Sequence, residues 1–279
     1  MTPRTLLAVL AHPDDESLGF GGTLAKYAAE GVRVHLVTAT RGDRGRYRGK
    51  PPGDPAHPGP AALAGIREAE LRDAARALGI HEVSILGYPD GSVDRVDARE
   101  AVSTIAQHIR RIQPQVVVTF GPDGAYGHPD HVAISQFATA AVVAAAHPAS
   151  QLSGPANGAD AHAVSKFYYL TWPAETWDAY HAAIGVLRAT VDGVERQAVP
   201  WPGWMITTVV DTRDWWSTTW QAVSCHQSQV SAYERLRDVS AAHHEALWGR
   251  QSYYRVFSTV NGGRVSEADL FEGLPSWMD

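Results

Sequence analysis

Apolar and polar positions along the first half of the chain follow two different periods. Short continuous apolar runs stand at residues 5–11, 32–38, 82–86 and 115–120. Runs of that length, bounded by turn residues, read as strands buried on both faces. Between them, at about 17–30, 62–79, 97–112 and 130–146, apolar residues recur every three to four positions, as in Leu63, Ile66, Leu71, Ala74 and Leu78. That spacing predicts amphipathic helices. Strands alternating with helices imply βαβ units, and so a Rossmann-like, mostly parallel sheet flanked by helices. In the strand order 3-2-1-4 the crevice opens where the order reverses, between the first and fourth strands.

The pattern changes in the second half, where a strand near 204–211, helices near 213–226 and 231–247 and a strand near 252–260 are expected. Residues 1–150 are accordingly expected to form the α/β core with the site, and 151–279 an α+β elaboration of the same domain that forms part of the pocket. All nine Trp lie after residue 171, and most are expected to pack against the core, with Trp216 and Trp220 one helical turn apart. Two loops interrupt the pattern, at 41–60 and 147–163. The first carries Arg41, Arg44, Arg46, Arg48 and Lys50 and reads as a solvated basic loop at the carboxyl edge of the sheet, near substrate.

One tripeptide occurs twice, each time just behind an apolar run: His12-Pro13-Asp14, extended by Asp15 and Glu16, and His128-Pro129-Asp130, extended by His131. Two strands delivering His and Asp past their carboxyl ends suggest one metal site built from distant segments. A catalytic zinc takes three protein ligands, mostly His nitrogen and carboxylate oxygen, and keeps a fourth position open. His12 and Asp15, three apart, share one face of a turn entering a helix, and His131 can be the third ligand. Pro129 suits the first position of a helix that His128 would cap. Asp14, flanked by two ligands, stands where a general base is required. The glycines Gly19, Gly21 and Gly22 lack the spacing of a dinucleotide fingerprint.

The composition narrows the partners. With 44% hydrophobic and 19% charged residues the chain is of ordinary globular type, and a net charge of −6 argues against nucleic acid. A single cysteine, Cys225, excludes a disulfide framework and a Cys-rich metal site, and it reads as a small apolar packing residue. No apolar run approaches the ~20 residues that span a membrane, so the cytoplasm is the expected compartment. A homo-oligomer remains open.

These motifs resemble the two signatures of the LmbE-like, or PIG-L, zinc-dependent de-N-acetylases. The likeness extends to Gly124-Ala125-Tyr126-Gly127-His128, Arg67, Gly87-Tyr88-Pro89-Asp90, Val164-Ser165-Lys166-Phe167-Tyr168-Tyr169 and His226-Gln227-Ser228-Gln229. It is strong to about residue 145 and patchy beyond, and is nearest to the mycothiol branch, which contains the N-acetylglucosaminyl-inositol deacetylase and the mycothiol conjugate amidase. The resemblance implies one Zn2+ on His12, Asp15 and His131, with Asp14 as general base. It further implies His128, oriented by Asp130, as oxyanion stabiliser or proton donor to the leaving amine, and Tyr126 beside the tetrahedral intermediate. Arg67, Asp90 and His226 are implied as contacts to a small amino-sugar conjugate. The segment Arg41-Gly42-Asp43-Arg44-Gly45 departs from the family pattern, which puts the substrate's identity in doubt rather than the metal chemistry. The expected activity is removal of an N-acyl group, most often acetyl, from an amino sugar or its conjugate. The alternatives are an amidase of thiol conjugates or other linear amides and, in another class, a non-catalytic metal- or nucleotide-binding protein.

Overall fold

In the computed structural model, which describes residues 3–148, 160–186, 188–191, 193–260 and 266–275, the four apolar runs form neighbouring strands of one sheet, with the run at 82–86 at its edge and only partly buried. The strands and helices of the first half are β1 (Thr5–Leu10), α1 (Asp15–Leu18), α2 (Gly21–Ala29), β2 (Arg33–Thr40), α3 (Pro60–Leu78), β3 (Glu82–Tyr88), α4 (Ala98–Ile112), β4 (Val116–Phe120), the short kinked turn α5 (Gly124–Gly127) and α6 (Pro129–Ala146). The second half adds β5 (Lys166–Thr171), α7 (Ala174–Ile184), the hairpin β6 (Arg188–Val191) and β7 (Val194–Gln197), β8 (Thr208–Asp211), α8 (Trp216–Cys225), α9 (Val230–Arg237), α10 (Ala241–Trp248) and β9 (Arg250–Ser258).

The main sheet has the order β3-β2-β1-β4-β5-β9-β8. Its first five strands run parallel, and β9 and β8 add antiparallel. Leu6 through Leu10 and Val116 through Val118 are wholly buried, as the continuous apolar runs require of central parallel strands. Helices α4 and α6 pack together on one face; α2, α3 and α8 pack together on the other. The order therefore reverses between β1 and β4, and both His-Pro-Asp segments leave the sheet there. No helix among the described residues is long and apolar enough to cross a membrane.

Several elements differ from the sequence pattern. The helix expected over 17–30 is two, α1 and α2, interrupted at Gly19 and Phe20. A side chain at Gly21 or Gly22 would press within 2.8 Å of Thr219 or Thr212, so these glycines let α2 approach the second half closely. The helix expected over 231–247 divides at Asp238–Ser240, because Ser240 caps α10 by accepting the His243 N–H. The strand near 204–211 shortens to β8. Periodicity did not reveal β5 or α7. Most of the loop expected over 147–163, like Trp277, lies outside the described residues.

Most tryptophans pack as expected. Trp177 and Trp248 are buried, and Trp216 and Trp220 both stack on the His244 ring. Trp172 is different: it stacks on Tyr180, and both line the cleft described next. The Cys225 thiol donates to the Gln221 carbonyl, and burial raises its pKa, which fits packing rather than nucleophilic work.

Candidate functional site

The cleft between the ends of β1 and β4 encloses about 340 Å³. His12, Asp14, Asp15, Tyr126, His128 and His131 line its floor, and Leu18, Trp172, Tyr180 and Ile184 form an apolar wall. Arg44, Asp90 and Gln229 stand on the polar side.

Local folding fixes each group. Asp15 opens α1, and its Oδ2 accepts the backbone N–H groups of Ala11 (3.1 Å) and His12 (2.7 Å), which aims Oδ1 across the cleft to 3.4 Å from His131 Nε2. His12 Nδ1 lies 3.1 Å from that same nitrogen and 3.7 Å from Asp15 Oδ2. His12 Nδ1, His131 Nε2 and the Asp15 carboxylate, from two segments, thus form a small triangle, closed by Oδ2 on the His12 side and by Oδ1 on the His131 side. A tetrahedral ion with bonds of about 2.1 Å needs ligand atoms roughly 3.4 Å apart, so the residues present fit such an ion. His12 uses its other edge for orientation: Nε2 donates to Asp130 Oδ2 at 3.0 Å and stands 3.3 Å from Asp90 Oδ1. That bond leaves the Nδ1 lone pair facing the triangle, the usual arrangement behind a metal-binding imidazole.

Two groupings have metal-sized spacing: His12, His128 and His131, and His12, Asp90 and Asp130. We prefer the Nδ1 edge of His12 with Asp15 and His131. In the second grouping Asp130 is already saturated by the Gly91 and Val93 N–H groups, and Asp90 accepts the Arg44 N–H. In the first, His128 Nδ1 accepts the Asp130 N–H at 3.2 Å and caps α6.

The electrostatics demand positive charge. Burial lowers the basicity of His12, but hydrogen bonds to Asp130 and Asp90 and the Asp15 charge outweigh it, and its pKa is pushed up to about 10. Burial likewise pushes Asp15 up, and the His131 and His12 charges hold it well below the usual carboxylate range. For Asp90 the His12 bond overcomes burial and brings its pKa to about 2. The positive charge that keeps these carboxylates ionised is that of the neighbouring imidazoles. His128 moves the opposite way: burial first, then the neighbouring His12 and His131 charges, lower it to about 4. It is therefore neutral near neutrality. Because Nδ1 accepts a bond, the ring proton sits on Nε2, where it can be donated as a hydrogen bond. Burial, with nearby carboxylates, also keeps the Tyr126 phenol protonated.

Asp14 is held in a left-handed conformation, φ 118° and ψ −23°, which costs about 1–3 kcal/mol for a residue with a side chain. Arg67 Nη2 meets its Oδ2 at 3.1 Å and also donates to the Pro13 carbonyl, while Nη1 donates to the Gly42 carbonyl.

Two sequence expectations change, and a third gains a second role. Arg67 is 4% exposed and clamps Asp14, and it also lines the cleft. The Asp130 carboxylate meets His12 instead of orienting His128, because the helix start turns it towards β1. His226 is wholly buried against Glu16 and does not line the cleft. Asp90 does line it, as does Arg44 from the basic loop. Sequence reasoning missed Glu16, whose carboxylate accepts the Asp14 N–H, and Trp172 and Tyr180. The fifth position of His-Pro-Asp-Asp-Glu was the available signal for Glu16.

Comparison with known proteins bears on this geometry. The family model described as PIG-L, GlcNAc-PI de-N-acetylase, matches residues 7–142. A curated relative, the 1D-myo-inositol 2-acetamido-2-deoxy-alpha-D-glucopyranoside deacetylase of Kineococcus radiotolerans, is 34% identical over 98% of this chain and 83% of its own. Among solved structures, the conserved protein TT1542 of Thermus thermophilus superposes with a TM-score of 0.63 at 25% identity, over 92% of this chain and 96% of its own. The 4-carboxy-2-hydroxymuconate hydratase GalB of Pseudomonas putida superposes with a TM-score of 0.65 at 20% identity, over 93% and 99%. That last likeness is of fold alone, and a hydratase on the same fold means the reaction must be argued from the site.

Proposed function

This chain belongs to the PIG-L family of GlcNAc-PI de-N-acetylases, and from that premise we propose that it is a zinc-dependent hydrolase that removes the N-acetyl group of an N-acetylglucosaminyl-inositol conjugate. The observation that carries the reading is the triangle of His12 Nδ1, Asp15 and His131 Nε2, with Asp14 beside it at the floor of the cleft. The substrate is inferred from the printed activity of the relatives. The Arg41–Gly45 segment, which departs from the family pattern, borders the cleft through Arg44 and Gly45.

His12, Asp15 and His131 would hold the ion. When bound, zinc polarises the amide carbonyl and lowers the pKa of water toward ~7. Asp14 takes a proton from the attacking water as its oxygen bonds to the carbonyl carbon. His128 donates its Nε2–H to the carbonyl oxygen as that atom gains negative charge, with the protonated Tyr126 phenol as a second donor. The carbon–nitrogen bond then breaks, and the proton held by Asp14 passes to the amine, leaving acetate and the free amino sugar. His128 is better suited to hydrogen-bond donation than to proton donation, since burial and the neighbouring positive charge lower its pKa to about 4. Asp90, Arg44 and Gln229 offer polar contacts to sugar hydroxyls, and the Trp172–Tyr180 wall offers a face for a ring.

The test is acetate release by the zinc-loaded protein from N-acetylglucosaminyl-inositol, compared with N-acetylglucosamine alone and with acylated thiol conjugates. We expect preference for the inositol conjugate. Preference for a thiol conjugate would reassign the substrate, and no release from any amide would remove the hydrolase reading.

A further inference from the structure

The second half of the chain reaches the active site through a residue that never touches the cleft. His226 ends α8 and is 0% exposed, and its Nε2 lies 2.7 Å from Glu16 Oε1, 210 residues away in sequence. Glu16 is equally buried. Its Oε1 also accepts the Ser17 hydroxyl at 2.6 Å, and its Oε2 accepts the Asp14 backbone N–H at 2.9 Å. That N–H belongs to a residue in a left-handed conformation, which persists only where surrounding groups over-determine it.

We propose that His226 is a positioning residue which, by fixing the Glu16 carboxylate, holds the Asp14 backbone in the strained conformation that aims its side chain into the cleft. Asp14 is then gripped at both ends. Glu16 takes its N–H, and Arg67 meets its carboxylate at 3.1 Å. Because Nε2 faces a carboxylate, it carries the donated proton. Without that donor, Glu16 loses one of the bonds that fix its rotamer, and Asp14 loses a fixed acceptor for its N–H. The path from His226 to the cleft runs through Glu16 and Asp14. Two residues further on, Ser228 donates both its N–H and its hydroxyl to Glu70, each at 2.6 Å, and its carbonyl accepts the Arg48 N–H. The segment therefore stays anchored to α3 and to the basic loop when the His226 ring is removed.

This inference rests on Asp14 being the general base, so the test has a kinetic arm and a structural arm. In the zinc-loaded enzyme, His226→Ala should lower kcat by roughly 10-fold to 10²-fold, the scale for misplacement of a catalytic group. KM and zinc content should be unchanged. His226→Gln, which can still donate to Glu16, should recover most of the loss. In an Asp14→Ala background, His226→Ala should change kcat less than about twofold, because coupled residues are not additive. Additive losses, or a raised KM at unchanged kcat, would overturn the proposal. Independently of any activity, a crystal structure of His226→Ala should show Asp14 out of the left-handed region or its carboxylate withdrawn from Arg67. An unmoved Asp14 would overturn the proposal even if the substrate has been misassigned. Should His226→Ala fail to fold, Glu16→Gln carries the same comparisons, since an amide keeps the volume but holds one of the three donors less well.

Discussion

Two buried charged clusters occupy opposite ends of the sheet, and they are built to opposite specifications. At the amino end of β5, the Glu267 carboxylate receives Lys166 Nζ and Arg255 Nη1, each at 2.6 Å, and the Tyr168 and Thr208 hydroxyls, each at 2.9 Å. Lys166 also donates to the Glu272 carbonyl. Fixed cations and hydroxyls there satisfy one carboxylate, and the product is a tie between the sheet and residues 266–275. At the carboxyl ends of β1 and β4, Asp14, Asp15, Asp90 and Asp130 converge with Arg67 as the fixed cation and with the His12 and His131 imidazoles. The first cluster is complete with its own side chains. The second is complete only with a proton on His12 or an ion among the ligands. Buried charge alone is a weak sign of function; a deficit of countercharge inside a cleft is a stronger one.

The sharpest way to break this contrast is to remove a ligand from the incomplete cluster. His131→Ala should leave the protein with little bound metal and activity near background, with added zinc unable to restore it. Metal content after dialysis and acetate release check this together. Full metal retention by this variant would remove His131 from the ligand set, and with it the triangle on which the contrast is built.

Next in size is Asp14→Asn. It preserves shape and the ligand triangle, so metal content should hold while kcat falls by ~10²-fold to 10⁴-fold, the scale for a lost general base. A fall in zinc affinity greater than that of Asp15→Ala would make Asp14 a ligand and Asp15 the base. The complete cluster should respond in the other coordinate. Glu267→Gln leaves two buried cations without their carboxylate and should cost about 3–5 kcal/mol of stability, read by denaturant unfolding. Turnover per folded molecule and metal content should stay normal.

The same contrast explains how much could be read from the sequence. The core strands were legible because Leu6–Leu10 and Val116–Phe120 are buried on both faces and therefore continuously apolar. The ligand set was legible because His12 and Asp15 stand one turn apart and His131 follows the second copy of the same tripeptide. β5 was hidden because it opens on Lys166, a residue that enters the core only by pairing with Glu267, 101 positions later. His226 was visible as a motif, yet it suggested a substrate contact, since nothing local shows that its partner is Glu16. Arg67 was legible only in part for the same reason: its bonds to Asp14 and to the Gly42 and Pro13 carbonyls exist only once the fold brings those groups to it. Spacing reveals partners within one turn; partners joined by the fold are invisible to it.

The smallest expected effect concerns pH, and here the two clusters should separate without any mutation. In the metal-free protein His12 titrates at about 10 when folded, against the ordinary 6.5 when unfolded. A raised folded pKa contributes stability that is fully present below pH 6.5 and is lost as pH rises towards 10. Chelator-treated protein should therefore lose on the order of a few kcal/mol between pH 6.5 and 9. Zinc-loaded protein should show the reverse trend at the low end of that range, because protons compete with the ion for the imidazoles. Burial lowers the Lys166 pKa and Glu267 holds it up, so Glu267→Gln should shift both curves down and make both rise more steeply with pH, the same way in loaded and stripped protein. Thermal unfolding from pH 6 to 9, with and without chelator, measures this directly. Parallel curves for the loaded and stripped protein would mean that the His12 proton and the ion do not occupy the same place, and that the countercharge missing from this cluster is supplied elsewhere.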